Sequence, residues 1–348
     1  MVKLRELTKT TFGSTRLENC RQTLSRTAAR RSGVNELRTL VRKQPSSRPC
    51  EAEDSKHSRV QKTALRIRSL NLVPPPFLHS GGGVAAVRGN QRAVGVLNFL
   101  EEAAKRLNSV DPVRFTISSR TDTGVHALSN AAHLDIQRRP GQQPFSPEVV
   151  TKALNTHLKH PAIRVLKAFR VPDDFHARHA ATSRTYLYRL ATGCSWPNQL
   201  PVFEQNVCWA LPTEYLNIEA MQEAAQHLLG THDFSAFQSA GSPVTNAVRT
   251  LRRVSVSPGP ASPFVLPQES RRLQFWTLEF ESQSFLYRQV RRMTAVLVAV
   301  GLETLAPTQV KVILESQDPL GKYQARVAPA HGLFLKSVLY NNFGAHDR

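Results

Sequence analysis

Apolar residues recur at helical spacing between Gln91 and Leu107, where Leu97, Leu100, Ala104 and Leu107 share one face, so this stretch predicts an amphipathic helix. Val113, Phe115 and Ile117 then alternate with polar neighbours, the period of a half-buried strand. Ser146-Pro147 supplies a capping side chain followed by a first-turn proline and predicts a helix reaching about Leu158. Met221, Ala224 and Leu228 mark a further helix, closed by Gly230. Alternation returns from Tyr186 to Leu190, Arg249 to Val256, Leu273 to Phe280 and Leu333 to Tyr340, with a helix from about Phe285 to Val300 between the last two. Strands and helices interleave without a regular βαβ period, which predicts an α+β fold with a largely antiparallel sheet.

Ahead of this pattern, Pro74-Pro75-Pro76 and Gly81-Gly82-Gly83 form a break that no regular element runs through. The predicted boundary falls there, with residues 1–82 as a basic extension and 83–348 as the globular region. Within the first fifty residues the only acids are Glu6, Glu18 and Glu36. That composition suits an organellar transit peptide, and so mitochondrial targeting, but equally a disordered basic arm or a misassigned exon. The formal charge of +20 over 348 residues makes a polyanion, nucleic acid above all, the leading partner class. Cys20, Cys50, Cys194 and Cys208 are too scattered for a zinc ribbon or a disulfide framework, so a reducing compartment, cytoplasmic or nuclear if not mitochondrial, is the default. The apolar run from Ala295 to Val300 is too short to cross a bilayer, which excludes a membrane role.

The densest polar segment is Ser118-Ser119-Arg120-Thr121-Asp122-Thr123-Gly124-Val125-His126-Ala127, at the end of the predicted strand around Phe115. Arg120, two residues before Asp122, is placed to hold its carboxylate ionised, and Gly124 permits a turn that a Cβ would resist. An ionised, positioned carboxylate serves as nucleophile or base, whereas an Asp in a turn also caps its own backbone. His126, His133, Asp135, His176 and His179 lack the clustering of a metal site, and no phosphate-cradling glycine loop is present. Arg288, Arg291 and Arg292 fall three and four apart, a like-charged helix face that an anion would relieve.

Arg-Thr-Asp-Thr-Gly-Val-His-Ala resembles the active-site signature of the TruA-type tRNA pseudouridine synthases. Four further segments match family blocks in the same order: Asp174 to Arg178 with Thr182 to Tyr188, His232 to Phe237 with Arg249 to Leu251, Phe285 to Met293, and His331 to Leu335. The resemblance spans about Val84 to Tyr340. It implies the pseudouridine synthase fold, two sheet lobes around a basic cleft, and isomerisation of uridine in tRNA without a cofactor. It also implies Asp122 as the catalytic carboxylate, Arg291 as its partner and Tyr186 as the face on which uracil lies; since the uridine must leave its stack, Arg120 could fill the vacated space as well as pair with Asp122. Arg288 and Arg292 are expected at phosphates, and a homodimer is implied by the resemblance alone.

Two departures stand out. Family members begin with a central strand running into a Gly-Trp-Gln turn, whereas here Asn71-Leu72-Val73-Pro74-Pro75-Pro76 precedes the Gly83 to Val87 turn and cannot pair as such a strand. Leu65 to Leu72 could substitute after a fashion, although Arg66 and Arg68 are a poor fit to a buried strand. Thr123 replaces a small residue beside the acid. A chain with an incomplete first lobe fits a second class of function, an RNA-binding pseudoenzyme of the same fold.

Overall fold

The structure, a computed structural model, describes residues 60–69, 95–196, 199–239, 246–265, 272–318 and 326–341. The chain divides at Asp54/Ser55, and every described residue lies in the second unit. The proline and glycine runs, the Gly83 to Val87 turn and the basic first fifty residues fall outside the described residues.

In chain order the elements are β1 (Val60–Ser69), α1 (Val96–Ala104), β2 (Phe115–Ile117), β3 (His126–Gln137), α2 (Pro147–His157), β4 (Ile163–Arg170), β5 (Ala181–Thr192), β6 (Trp209–Ala210), α3 (Ile218–Gln226), β7 (Gly230–Asp233), β8 (Val248–Pro258), β9 (Gln274–Ser282), α4 (Gln289–Gly301), α5 (Pro307–Ser316) and β10 (Leu333–Tyr340). They build one ten-stranded sheet in the order β4-β1-β3-β10-β5-β9-β8-β7, with β2 beside β3 and β6 beside β5. Pairing is antiparallel except at β10/β3 and β5/β6. The α+β expectation holds, and the two lobes share this continuous sheet.

The first strand is present. β1 runs antiparallel between β3 and β4, with Leu65 opposite Ala132 on one side and Ala168 on the other. Leu65 is 1% exposed and Thr63 0%, so this strand is part of the core. The boundary placed at residue 83 is therefore corrected: a sheet strand comes from inside the stretch assigned to the extension. The strand also starts earlier than Leu65, where Val60, Gln61 and Lys62 pair with Gln137, Ile136 and Asp135.

Two apolar clusters dominate. One gathers Leu65, Leu97, Leu100, Leu134, Ile136, Val150 and Leu154 between α1, α2 and the β1/β3 part of the sheet. The other gathers Tyr188, Met221, Leu228, Phe234, Phe237, Phe280 and Leu297 under α3, α4 and α5. Leu100, Leu134 and Leu154 are each 0% exposed, and full burial of such a side chain contributes about 1.5–3 kcal/mol. Among the described residues no helix is long and apolar enough to cross a membrane.

The local rules explain most element ends. The Ser146 hydroxyl accepts from the Val149 amide, and Pro147 opens α2 as expected. α1 is shorter than its apolar pattern, passing into a 3-10 turn at Lys105–Leu107, and residues 91–94 lie outside the described residues. Gly230 does not close α3, which ends at Gln226; it opens β7 with φ +96°. α4 begins at Gln289 rather than Phe285, because Arg288 takes a left-handed conformation (φ 60°) that reverses the chain.

The two halves of the sheet meet where Phe334 and Leu335 of β10 pair with His126 and Ala127 of β3. Gly332, just before β10, lets that strand lie close against β5: a Cβ there would stand 2.7 Å from the Tyr188 ring. Tyr188 cannot retreat, being 0% exposed with its hydroxyl donating to the Pro329 carbonyl at 2.7 Å. Gly332→Ala is expected to lower stability by about 1–3 kcal/mol, the usual cost of overpacking. A fall in the urea midpoint checks this, and an unchanged midpoint would contradict it.

Candidate active site

β2 ends at Ile117, and the chain returns as β3 at His126, so residues 118–125 form a loop at the seam of the sheet. The Val125 amide donates to the Asp122 carbonyl at 3.1 Å, closing a tight turn with Gly124 at φ +82°. That is the positive φ which the third position of a type II turn requires. A Cβ on Gly124 would also crowd the Ala330 Cβ at 3.1 Å.

The segment ahead of the acid is clamped from two strands. Asn130 of β3 donates its side-chain amide to the Ser119 carbonyl at 2.9 Å. From β5, Arg184 donates Nε to Ser119 Oγ at 2.9 Å, and Nη2 to Ser118 O, Ser118 Oγ and Arg178 O at 3.1, 3.2 and 2.9 Å. Its Nη1 donates to the Gln283 carbonyl. Arg184 is 7% exposed, and burial lowers its pKa. One desolvated guanidinium thus joins the Asp122 loop, the Arg178 segment and the loop before α4.

Asp122 faces α4. Arg291, in the first turn of that helix, donates Nη1 to Asp122 Oδ2 at 3.1 Å, with the two side chains 13% and 21% exposed. Arg291 is itself fixed, because Nε donates to the Ala328 carbonyl at 2.7 Å and its own carbonyl accepts from the Ala328 amide. A sheltered ion pair contributes little net stability after desolvation, so its presence in a cleft points to chemistry.

The cleft that opens over this pair has a volume of about 870 Å³. Among the described residues Arg120, Arg178, Arg184, Arg249, Arg288 and Arg291 line it, against Asp122 as the single acid. Tyr186 stands in its wall at 9% exposure, edge-on to Phe285 with ring centres 5.2 Å apart. Burial pushes the Tyr186 hydroxyl up to about 12, the nearby Asp122 charge adding to this while Arg184 and Ser119 act against it. At neutral pH it is a neutral phenol on an apolar ring.

Five of the six residues singled out from the sequence therefore line one cleft: Asp122, Arg120, Arg291, Tyr186 and Arg288. Arg292 does not; it turns inward at 8% exposure, away from any phosphate in the cleft. Arg120 is exposed, and among the described residues the ion pair to Asp122 comes from Arg291 rather than Arg120. Arg184 was missed as a site residue, because it precedes the alternation read from Tyr186 to Leu190 and a charged residue there reads as solvent-facing. Arg178, in the turn between β4 and β5, and Arg249, at the start of a predicted strand, were missed because their charge reads as solvent-facing.

The histidines have separate tasks. His126 is 0% exposed, stacks on Phe334 at 4.6 Å and directs Nε2 at the Asn206 carbonyl at 2.9 Å, so Nε2 carries the proton. His133 Nδ1 accepts from the Ala177 amide at 3.0 Å. Among the described residues no group of three or more His, Cys, Asp or Glu is placed to hold a metal ion. Burial is the first cause holding His126, His133 and His331 below the ordinary value of 6.5. The unfolded chain then binds more protons than the folded one below about pH 6.5, so stability is full above that value and falls as pH drops through it. Melting temperature is expected to decline from about pH 7 to pH 5 on this linkage; a flat or rising profile would contradict it.

Comparison with known proteins agrees with this geometry. Residues 224–341 match the family model described as tRNA pseudouridine synthase. The chain is 94% identical over 262 residues to mouse tRNA pseudouridine synthase-like 1, covering 75% of this chain and 90% of the relative. It is 81% identical over 263 residues to the human protein of that name, covering 76% and 87%. Tying these to bacteria, it is 38% identical over 249 residues to tRNA pseudouridine synthase A of Maricaulis maris, covering 71% and 89%. The matched residues 224–341 include the α4 block that carries Arg291, and the chain belongs to the tRNA pseudouridine synthase family.

Proposed function

We propose that this protein isomerises uridine to pseudouridine in tRNA, with Asp122 acting at the sugar C1′ of a uridine turned out of its stack. The observation behind this reading is the Asp122–Arg291 pair at the floor of an arginine-lined cleft beside the Tyr186 ring. Arginines suit the phosphates of the chain, and an aromatic face suits a single extruded base.

The reaction balances without an external reagent. The bond from N1 to C1′ breaks with its electron pair leaving on uracil, and positive character grows on the sugar. A carboxylate on that side stabilises it or bonds to it, as in glycoside hydrolysis. The uracil turns, C5 joins C1′, the C5 proton departs and N1 gains one. Arg291 holds the Asp122 carboxylate toward the sugar, Tyr186 supports the base, and Arg120, exposed at the rim, occupies the space the uridine vacates. Arg288 meets phosphate. The surplus of guanidinium charge also favours an electron-rich detached uracil.

The pseudoenzyme reading rested on a missing first strand, and β1, paired between β3 and β4, supplies the first lobe with a strand ahead of the acid loop. Purified protein incubated with unmodified tRNA, digested and resolved by chromatography before mass spectrometry tests the proposal, since substrate and product have one mass. Absence of pseudouridine with folded wild-type protein would overturn it. A homodimer and mitochondrial targeting remain parts of the proposal, tested by sedimentation and by localising the full-length chain.

A further inference from the structure

The segment Phe285 to Arg288 lines the cleft that holds the Asp122–Arg291 pair. The residues that flank Tyr287 and Arg288 are firmly seated. Leu286 is 4% exposed and Gln289 0%, and the Leu286 amide donates to Gln289 Oε1 at 2.8 Å. Tyr287 between them is 46% exposed. Arg288, at φ 60° and ψ 9°, places its guanidinium 4.9 Å from the centre of the Tyr287 ring. A left-handed conformation in a residue with a Cβ is strained, and such strain persists where the surroundings impose it, often at ligand clamps. The outcome is an aromatic ring held at the cleft mouth by a rigid turn, with a cation beside it. Phe285 continues the aromatic path inward to Tyr186.

We propose that Tyr287, with Arg288 beside it, is a stacking platform for a nucleobase next to the extruded uridine. The inference rests on the functional reading above and adds a second base-binding position to it. An RNA strand that delivers one nucleotide to the cleft floor must leave over the rim, and its neighbouring base has lost a stacking partner. A ring at the rim replaces that partner. Its contribution is indifferent to base identity, because every base presents a π face, and the adjacent guanidinium adds cation–π attraction.

The test separates base stacking from charge. Binding of a short oligouridylate and of a strand of equal length and charge lacking its bases is measured for wild type, Tyr287→Ala and Tyr287→Phe. Tyr287→Ala is expected to weaken oligouridylate binding by about 10-fold, in line with base–aromatic stacking, and to leave the base-free strand unaffected. Tyr287→Phe keeps the ring and is expected to bind like wild type. In tRNA conversion the same loss appears in KM with kcat unchanged. Equal oligouridylate affinity in Tyr287→Ala and wild type would overturn the platform, as would an equal loss on both strands. Failure of the functional reading is seen separately, as wild-type protein forming no pseudouridine.

Discussion

Asp122→Asn is expected to reduce pseudouridine formation by at least about 10²–10⁴-fold, the range over which a positioned acid–base group contributes, and by more if the carboxylate bonds to C1′. The fold should survive. The asparagine carbonyl can still accept from Arg291, and the wild-type pair is partly open at 13% and 21% exposure. Binding should survive as well, because removing an acid from a lining rich in arginine makes the cleft more attractive to phosphate. The variant is therefore expected to bind tRNA at least as tightly as wild type, with affinity falling steeply as salt rises, and to turn over almost none. Rates from nucleoside chromatography and affinities from gel shift read the two effects independently. Unchanged turnover would remove Asp122 from the chemistry, and lost binding would make its role structural.

Arg184→Ala is expected to be the most damaging change outside the acid itself. It withdraws the donors that serve the carbonyls of Ser118, Arg178 and Gln283 and the hydroxyls of Ser118 and Ser119. A buried polar group left without its partner costs about 1–3 kcal/mol, so a loss above about 3 kcal/mol is expected for the set. Lysine does not rescue it, since one ammonium cannot reach three segments as a planar fork does. Because Ser118 and Ser119 lead into Asp122, variant protein kept folded by low temperature should show a lower kcat than its stability alone explains. Urea unfolding and initial rates measure both. An Arg184→Ala protein with wild-type midpoint and kcat would show that the clamp does not position the loop.

Legibility varied with how far side-chain type reports burial. Helix α2 was readable because Ser146 and Pro147 act locally, and β8 to β10 because apolar residues alternate strongly. Strand β3 was not anticipated. Its buried positions include Ala127, Asn130, Ala131 and Ala132, small or polar residues with little strand preference, and its neighbours β1, β2 and β10 make it a strand. β5 was read as Tyr186 to Leu190 but runs from Ala181 to Thr192, because Ser183, Arg184 and Thr185 look solvent-facing yet are buried at the centre of the sheet. The β1 correction has a similar origin: arginines and a lysine among its residues masked a strand whose pairing with β3 and β4 is set by the sheet.

The site divides in the same way. Asp122, Arg291 and Tyr186 come from segments that resemble the family closely, and the structure brings them into one cleft. What the sequence hides is which arginine does what. Helical spacing groups Arg288, Arg291 and Arg292 on one face, yet the left-handed turn at Arg288 breaks that register. Arg291 then reaches the acid, Arg288 stays at the rim and Arg292 faces the interior.

Joining C5 of uracil to C1′ must expel the hydrogen on C5, which makes the most direct measurement a release assay on tRNA tritiated at that carbon. Wild-type protein is expected to liberate tritium into water in step with pseudouridine formed, and Asp122→Asn to liberate almost none. Retention of tritium by tRNA in the presence of folded wild-type protein, or equal release by the variant, would contradict the assignment of this cleft.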